Sequence, residues 1–305
     1  MRYLVTGAAG FIGSQLLQTL LERGHDAVGW DAFTDYYDPS LKEENARDLP
    51  VTRVDLAEDA LALGGFDGVF HLAGQPGVAS FGGIFPVYVR QNVLASQRLF
   101  EEAVAARVRV VVASSSSVYG DAETYPTPED VVPRPISPYG ITKLSCEHLA
   151  YAHARAAGLD AVGLRYFTVY GPRQRPDMAF TRMLETLAEG SAFHLYGDGS
   201  ASRSFTYVDD AVSGTIAAME RGESGSIYNI GGGEEASMSD VFALVQEISG
   251  RTLRIERDEA AAGDVRRTSA DCTRASEHLG WAASTPLADG LAQHWSWVVD
   301  RVGVQ

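Results

Sequence analysis

Glycines at positions 7, 10 and 13 lie between an apolar stretch, Tyr3-Leu4-Val5-Thr6, and a second stretch with helical character over 15–23. Glycine permits a sharp turn and lets backbone N–H groups approach a ligand that a side chain would block. A helix opening straight after the turn aims the positive end of its dipole at the same place. Strand, turn and helix joined in this way form the first unit of a parallel sheet. The alternation continues, with strands expected at 27–30, 68–72 and 108–113 and a helix at 96–107. Val69-Phe70 and Val110-Val111-Val112 lack polar alternation, as strands covered on both faces do. The expectation is an α/β fold, a Rossmann-type doubly wound parallel sheet over residues 1–165, rejoined by about 205–230. Beyond Tyr166 the rhythm changes, with Gly171-Pro172 and the glycines at 197, 199 and 231–233. A smaller α/β substrate-binding domain is expected at 166–204 and 231–305.

Bulk properties narrow the function classes. A chain of 305 residues, 45% hydrophobic, can bury a large core. It has no run of about 18 apolar residues, and Met1 leads almost directly into the first strand, so neither a membrane span nor a signal peptide is expected and the location should be cytoplasmic. A formal charge of −15 repels nucleic acid and anionic membranes while leaving room for local basic pockets. Cys146 and Cys272 have no His or Cys at ligand spacing, so packing roles are expected for both and no metal site is.

Asp31 ends the second strand, 18 residues after Gly13. That offset suits a carboxylate accepting hydrogen bonds from an adenosine ribose while the pyrophosphate rests on the glycine turn. A carboxylate there repels a 2′-phosphate, and Ala32 follows where an arginine would pair with one, so NAD is expected rather than NADP. The plainer alternative for Asp31 is a solvated loop charge.

Ser137-Pro138-Tyr139-Gly140-Ile141-Thr142-Lys143 opens a helix running to about Arg155, with Tyr139 and Lys143 four residues apart on one face. A phenol is a poor base near neutral pH, but an adjacent ammonium and a positive nicotinamide stabilise phenolate, which is the tuning acid/base work needs. Taken alone, such a pair is more often an exposed helix pair. The run Ser114-Ser115-Ser116-Ser117 changes the balance, because it places hydroxyls at the C-terminal edge of the sheet, where doubly wound folds bind ligands. A plain loop is the competing reading of those serines.

TGAAGFIGS, Asp31, HLAG at 71–74, SSSSVYG, YGITK and RYFTVYGP resemble the extended short-chain dehydrogenase family of nucleotide-sugar epimerases and dehydratases over essentially the whole chain. The resemblance implies a transient oxidation of a sugar, with Ser115, Tyr139 and Lys143 catalytic and Asn92 supporting them. It implies NAD contacts at Gly7, Gly10, Phe11, Ile12, Gly13, Asp31, Ala32, Phe33, Thr34, Asp55, Leu56, Leu72, Ala73, Gly74, Gln75, Asn92, Ala113, Ser114, Tyr139, Lys143 and Tyr166. Substrate contacts are implied at Val78, Ser115, Ser116, Ser117, Tyr139, Thr168, Arg175, Arg203, Asp264 and Arg266, the last two arginines as clamps on a nucleotide diphosphate. The histidines, His71 included, fall on no catalytic position of the family and are expected to be structural.

Ser116 and Ser117 stand where dehydratases of the family commonly carry an acid, so epimerisation is expected over elimination. Residues 166–179 and 31–40 resemble the UDP-glucuronate 4-epimerase pattern, with Ala32 and Thr34 where asparagines are common; Ala79 and Phe81 are a further departure. UDP-glucuronate to UDP-galacturonate is the expected reaction. A UDP-glucose/UDP-galactose 4-epimerase is the first alternative, and a dehydratase or a catalytically silent NAD-binding sensor are weaker ones. Family resemblance also implies a homodimer pairing helices over 92–107 and 143–155. Asp209-Asp210 is expected to cap a following helix.

Overall fold

The computed structural model describes residues 1–77, 82–258 and 267–303. In chain order the strands are β1 Arg2–Thr6, β2 Asp26–Asp31, β3 Val51–Arg53, β4 Gly68–His71, β5 Arg109–Ser115, β6 Ala161–Tyr166, β7 Thr168–Tyr170, β8 Ala192–Tyr196, β9 Ser202–Tyr207, β10 Ile227–Ile230, β11 Glu235–Ser237, β12 Arg254–Asp258 and β13 Arg267–Thr268. Seven of them form one parallel sheet in the order β10-β6-β5-β4-β1-β2-β3. The order reverses at β1, the switch that opens a crevice beyond the carboxyl ends of the strands.

Side-chain alternation makes this sheet two-faced. Tyr3, Val5, Phe70 and Val111 pack with Leu16, Leu17 and Leu20 of the helix Phe11–Glu22 and with Ala211 and Ala218 of the helix Val208–Arg221. Leu4, Val69, Val110 and Val112 turn to the other layer, against Leu99, Phe100 and Ala103 of the helix Ala95–Ala106. Both layers exclude water, which is why the strand sequences read as unbroken apolar runs. The helix Pro138–Ala157 covers the same second layer. It is tied to β6 by a buried ion pair, Arg165 to Glu147, with nitrogen–oxygen distances of 2.9 and 2.8 Å.

The remaining strands build two smaller sheets. β9 pairs antiparallel with β11 and parallel with β13 at its start, then parallel with β7 at its end, while β8 pairs with β12. β10 returns the chain to the large sheet, with Ile227–Ile230 beside Gly163–Tyr166.

Some boundaries differ from the sequence expectation. The first helix begins at Phe11, four residues earlier, because Gly10 takes the extended N-cap conformation and the turn itself enters the helix. The helix expected at 96–107 is preceded by Phe85–Tyr88 and a π-helical turn, Val89–Leu94, which periodicity does not reveal. Asp209 and Asp210 lie in the first turn of Val208–Arg221 but do not cap it. Asp210 instead accepts hydrogen bonds from the backbone N–H of Ser284 and Thr285, tying the helix to the C-terminal segment. Cys146 is buried and Cys272 partly so, both as free thiols. No described helix is long and apolar enough to cross a membrane.

Candidate active site

The glycine turn is built around Asp31. Gly7 N–H donates to Trp30 O at 2.8 Å, Gly10 N–H to Gly7 O at 3.1 Å, and the Asp31 carboxylate accepts from Ala9 N–H at 3.0 Å and Phe33 N–H at 2.7 Å. Asp31 is therefore no solvated loop charge; it is 8% exposed and orders the turn it faces. A Cβ on Gly13 would lie 2.1 Å from Gly7 O, and one on Gly7 2.8 Å from Ala73 N, so neither position admits a side chain. The following helix has no side-chain cap and no acidic residue in its first turn. Its opening N–H groups are free for an anion.

These features fit NAD. Glycines too tight for any side chain leave the helix start bare for a pyrophosphate, and Asp31 keeps lone pairs for a ribose hydroxyl. Around that end of the site Arg53 donates to Ala32 O at 2.9 Å and stacks over Phe33, and buried Lys42 donates to the carbonyl and hydroxyl of Thr34. Burial lowers the Lys42 pKa, against the pull of Asp31 and Asp35. Asp55 accepts from Ala57 N–H and pairs with Arg90 at 2.8 Å, next to Leu56.

The second half of the site gathers at the ends of β4 and β5. Ser137 caps the helix Pro138–Ala157 by accepting from Gly140 N–H at 3.1 Å, with Pro138 at its first position. Gly140 packs on the serine run: a Cβ there would lie 2.5 Å from Ser117 O. Tyr139 and Lys143 follow on the same face, Lys143 Nζ 6.0 Å from the Tyr139 ring centre. Lys143 also donates to Ala113 O at 2.9 Å, two residues before Ser115. Ser115 Oγ in turn bonds Ser117 Oγ at 3.1 Å and accepts from Ser117 N–H at 3.2 Å, and Ser116 lies between them in a short 3-10 turn.

Asn92, carried on the π-helical turn, joins these pieces. Its Oδ1 accepts from Gln75 N–H at 2.7 Å, and its Nδ2 donates to Gln75 O at 3.2 Å and Thr142 Oγ1 at 3.0 Å. Thr142 donates to Tyr139 O at 2.9 Å. A Cβ on Gly74 would lie 2.9 Å from Asn92 Oδ1 and 3.2 Å from Lys143 Nζ, so the stretch Leu72 to Gln75 lies directly against both. Thr142 belongs to this network, and its signal in the sequence is its place beside Lys143 in YGITK. His71 is buried between Thr6 Oγ1 and Ser96 Oγ, each at 2.9 Å, and burial together with Lys143 pushes its pKa down to about 3.

Several expected residues make side-chain contacts within the protein. Ser114 directs its hydroxyl to Glu147 in the core, and the buried Tyr166 hydroxyl bonds Thr215 Oγ1 at 2.6 Å. Neither side-chain hydroxyl faces the crevice, because both residues point into packed layers at the strand ends. Arg175 is paired with Asp177 through Nε at 2.9 Å and Nη2 at 3.1 Å, and Tyr36 donates to the same carboxylate at 3.2 Å. No hydrogen bond joins Arg175 to Thr168, which lies at the start of β7 beside Phe205. Arg203, on β9, donates to Ser202 O at 2.9 Å. Val78, Asp264 and Arg266, with Ala79 and Phe81, lie outside the described residues. The segment bearing Arg175 is anchored by Arg173, whose left-handed backbone (φ 64°) sends its guanidinium to Ser14 Oγ and Gln18 Oε1 on the first helix.

Residues 3–231 match the NAD dependent epimerase/dehydratase family. The chain belongs to that family. An uncharacterized UDP-glucose epimerase of Bacillus subtilis is 41% identical over 95% of this chain and 96% of its own length. A UDP-glucuronate 4-epimerase of Thermodesulfobacterium geofontis is 33% identical over 98% of this chain and 97% of its own. Among solved structures, UDP-glucuronic acid 4-epimerase from Bacillus cereus, in complex with UDP-glucuronic acid and NAD, matches 99% of this chain and 100% of its own at 38% identity and a TM-score of 0.95.

Proposed function

We propose that this protein is an NAD-dependent UDP-sugar 4-epimerase acting on UDP-glucuronate to give UDP-galacturonate. The observation that supports the reaction type is that Lys143 lies 6.0 Å from the Tyr139 ring and donates to Ala113 O, two residues before Ser115, while Asn92 bonds Thr142 between Tyr139 and Lys143. The chemistry NAD supplies when bound is reversible uptake of a hydride from carbon 4 of the sugar. In this reading Tyr139 takes the proton of the C4 hydroxyl, Ser115 holds the same oxygen by a hydrogen bond, and the Lys143 ammonium stabilises the phenolate. The site would let the keto sugar turn over before Tyr139 returns the proton to the C4 oxygen.

The uronate is favoured because the stretch from Tyr166 to Ala179 carries the glucuronate-epimerase pattern, and Arg175 is linked through Asp177 and Tyr36 to the contacts at Gly77 and Tyr88 that lead to Tyr139. A keto group at C4 is β to the C6 carboxylate, an arrangement that loses carbon dioxide when the breaking bond aligns with the carbonyl π-system. A guanidinium holding that carboxylate out of alignment prevents the loss. UDP-glucose is the second reading, supported by the likeness to the Bacillus subtilis UDP-glucose epimerase. We assign residues 1–165, rejoined over about 205–230, to NAD, and the rest to the sugar nucleotide.

We also assign a homodimer. The helical segments over 85–106 and 138–157 lie side by side and expose Phe85, Val87, Leu94, Ile141 and Tyr151. Exposed apolar side chains on paired helices are what a second copy would cover.

The deciding experiment incubates the purified protein with UDP-glucuronate and, separately, UDP-glucose, and resolves the products by proton NMR. Formation of UDP-galacturonate in clear preference supports the first reading, and preferred turnover of UDP-glucose selects the second. Arg175→Ala should then impair UDP-glucuronate far more than UDP-glucose, since losing one partner of a desolvated charge pair costs roughly 2 to 5 kcal/mol. Equal losses would remove the clamp.

A further inference from the structure

A guanidinium offers five N–H donors in one plane, arranged as a side-on fork at Nε and Nη2 and an end-on fork at Nη1 and Nη2. In Arg175 the side-on fork is occupied by Asp177, at 2.9 and 3.1 Å, while Nη1 has no partner among the described residues. Asp177 also accepts from a tyrosine, and a backbone bond closes the turn that carries it. Tyr36 donates to its Oδ2 at 3.2 Å, and Met178 N–H donates to Arg175 O at 3.1 Å, closing the turn that presents both side chains. The pair stands at the mouth of the site: Tyr36 packs on Gly77, where a Cβ would lie 2.8 Å from its hydroxyl and 3.2 Å from that of Tyr88, and the Tyr88 ring lies 6.3 Å from Tyr139. The Arg175 side chain is 21% exposed, so a lone cation here would be largely stripped of water. Burial works against the charge on Arg175, and the bonds and charge of Asp177 outweigh it.

We propose that Asp177 is a specificity-determining residue, neutralising Arg175 from the side while leaving its end-on fork open toward the sugar. This rests on the reading that Arg175 meets the C6 group. A neutral hexose then faces a balanced ion pair and not a bare cation, and an acidic sugar still finds two donors, at the cost of a carboxylate close by. Asp177 thereby narrows the gap between acidic and neutral substrates, and Tyr36 keeps the carboxylate from swinging into the open fork.

Asp177→Asn tests this, because the amide keeps one oxygen for the fork and removes the charge; Asp177→Ser removes the charge with a shorter side chain. The readout is the ratio of kcat/KM for UDP-glucuronate to that for UDP-glucose, with NAD affinity as the control for folding. Both variants should raise the ratio by about tenfold, the equivalent of 1.4 kcal/mol, chiefly by weakening UDP-glucose. An unchanged or lowered ratio in a variant that binds NAD normally overturns the proposal. If Asp177→Asn does not bind NAD, the Asp177→Ser ratio decides by the same criterion; loss of NAD binding in both shows a structural role and overturns it too. Arg175→Ala separates the two levels: equal losses on both substrates defeat the uronate reading itself, whereas a selective loss beside an unmoved Asp177→Asn ratio defeats only the role given to Asp177.

Discussion

At the scale of single residues, the site depends on side chains whose neighbours leave them one orientation. Tyr139 is fixed by the helix it opens, by Thr142 on its carbonyl and by the Tyr88 ring. Tyr139→Phe keeps those contacts and deletes only the hydroxyl, so the fold and NAD binding should persist while turnover drops by at least the roughly hundredfold attributed to general acid/base catalysis. Turnover at the parent rate would refute the assignment. Asp31 is a different case, since its carboxylate also orders the turn through Ala9 and Phe33. Asp31→Ala should weaken NAD more than loss of one ribose contact would, and should lower the melting temperature as well. With the repulsion gone and Arg53 beside Ala32, NADP should gain relative to NAD. Titrations of both dinucleotides check this; an unaltered preference would remove Asp31 from cofactor selection.

At the scale of elements, the glycine turn works by close approach rather than by flexibility. Gly13→Ala forces a Cβ to within 2.1 Å of Gly7 O, so the helix Phe11–Glu22 must shift and NAD affinity should collapse. Gly24→Ala meets nothing within 4 Å and bears only the left-handed φ of 79°, a cost of about 1 to 2 kcal/mol with NAD affinity retained. Comparable NAD affinities in the two variants would contradict this account of the turn. The same contrast explains what sequence makes legible. Strands β1, β2, β4 and β5 and the helix carrying Tyr139 and Lys143 could be read because their signals are local: apolar runs, glycine spacing, and a Ser-Pro helix start. The π-helical turn under Asn92 has no local signature, since its extra residue is selected by where the side chain must reach. Ser114 and Tyr166 sit at legible strand ends, yet their hydroxyls turn into the core toward Glu147 and Thr215, partners 33 and 49 residues away. The Asp177 pair with Arg175 is visible as adjacency, but its bridge to Tyr36 spans 141 residues and follows only from the fold.

Across the whole molecule, two buried histidines make the packing sensitive to acid. His71 lies under the large sheet's second layer between Thr6 and Ser96, and His294 lies in the helix Leu287–Val302, its Nε2 3.3 Å from Thr181 Oγ1. Burial pushes the pKa of each from 6.5 down to about 3, with Lys143 adding to the effect at His71. Both are neutral in the folded protein at neutral pH. Below pH 6.5 the unfolded chain takes up two protons that the folded chain refuses, so the stabilisation is complete above pH 6.5 and is lost as the pH falls toward about 3. Each histidine should contribute a slope near 1.4 kcal/mol per pH unit within that window. Urea unfolding between pH 4 and 7 should therefore show midpoints falling steeply with acidity. His294→Gln, which cannot take a proton, should flatten that dependence by about half of the two-histidine contribution. An undiminished acid slope in His294→Gln would mean that carboxylates and not the buried imidazoles govern the loss. A flattened slope with altered substrate selectivity would mean that the C-terminal helix reaches the sugar site, a coupling that the Thr181 and Gln174 hydrogen bonds behind Arg175 make available.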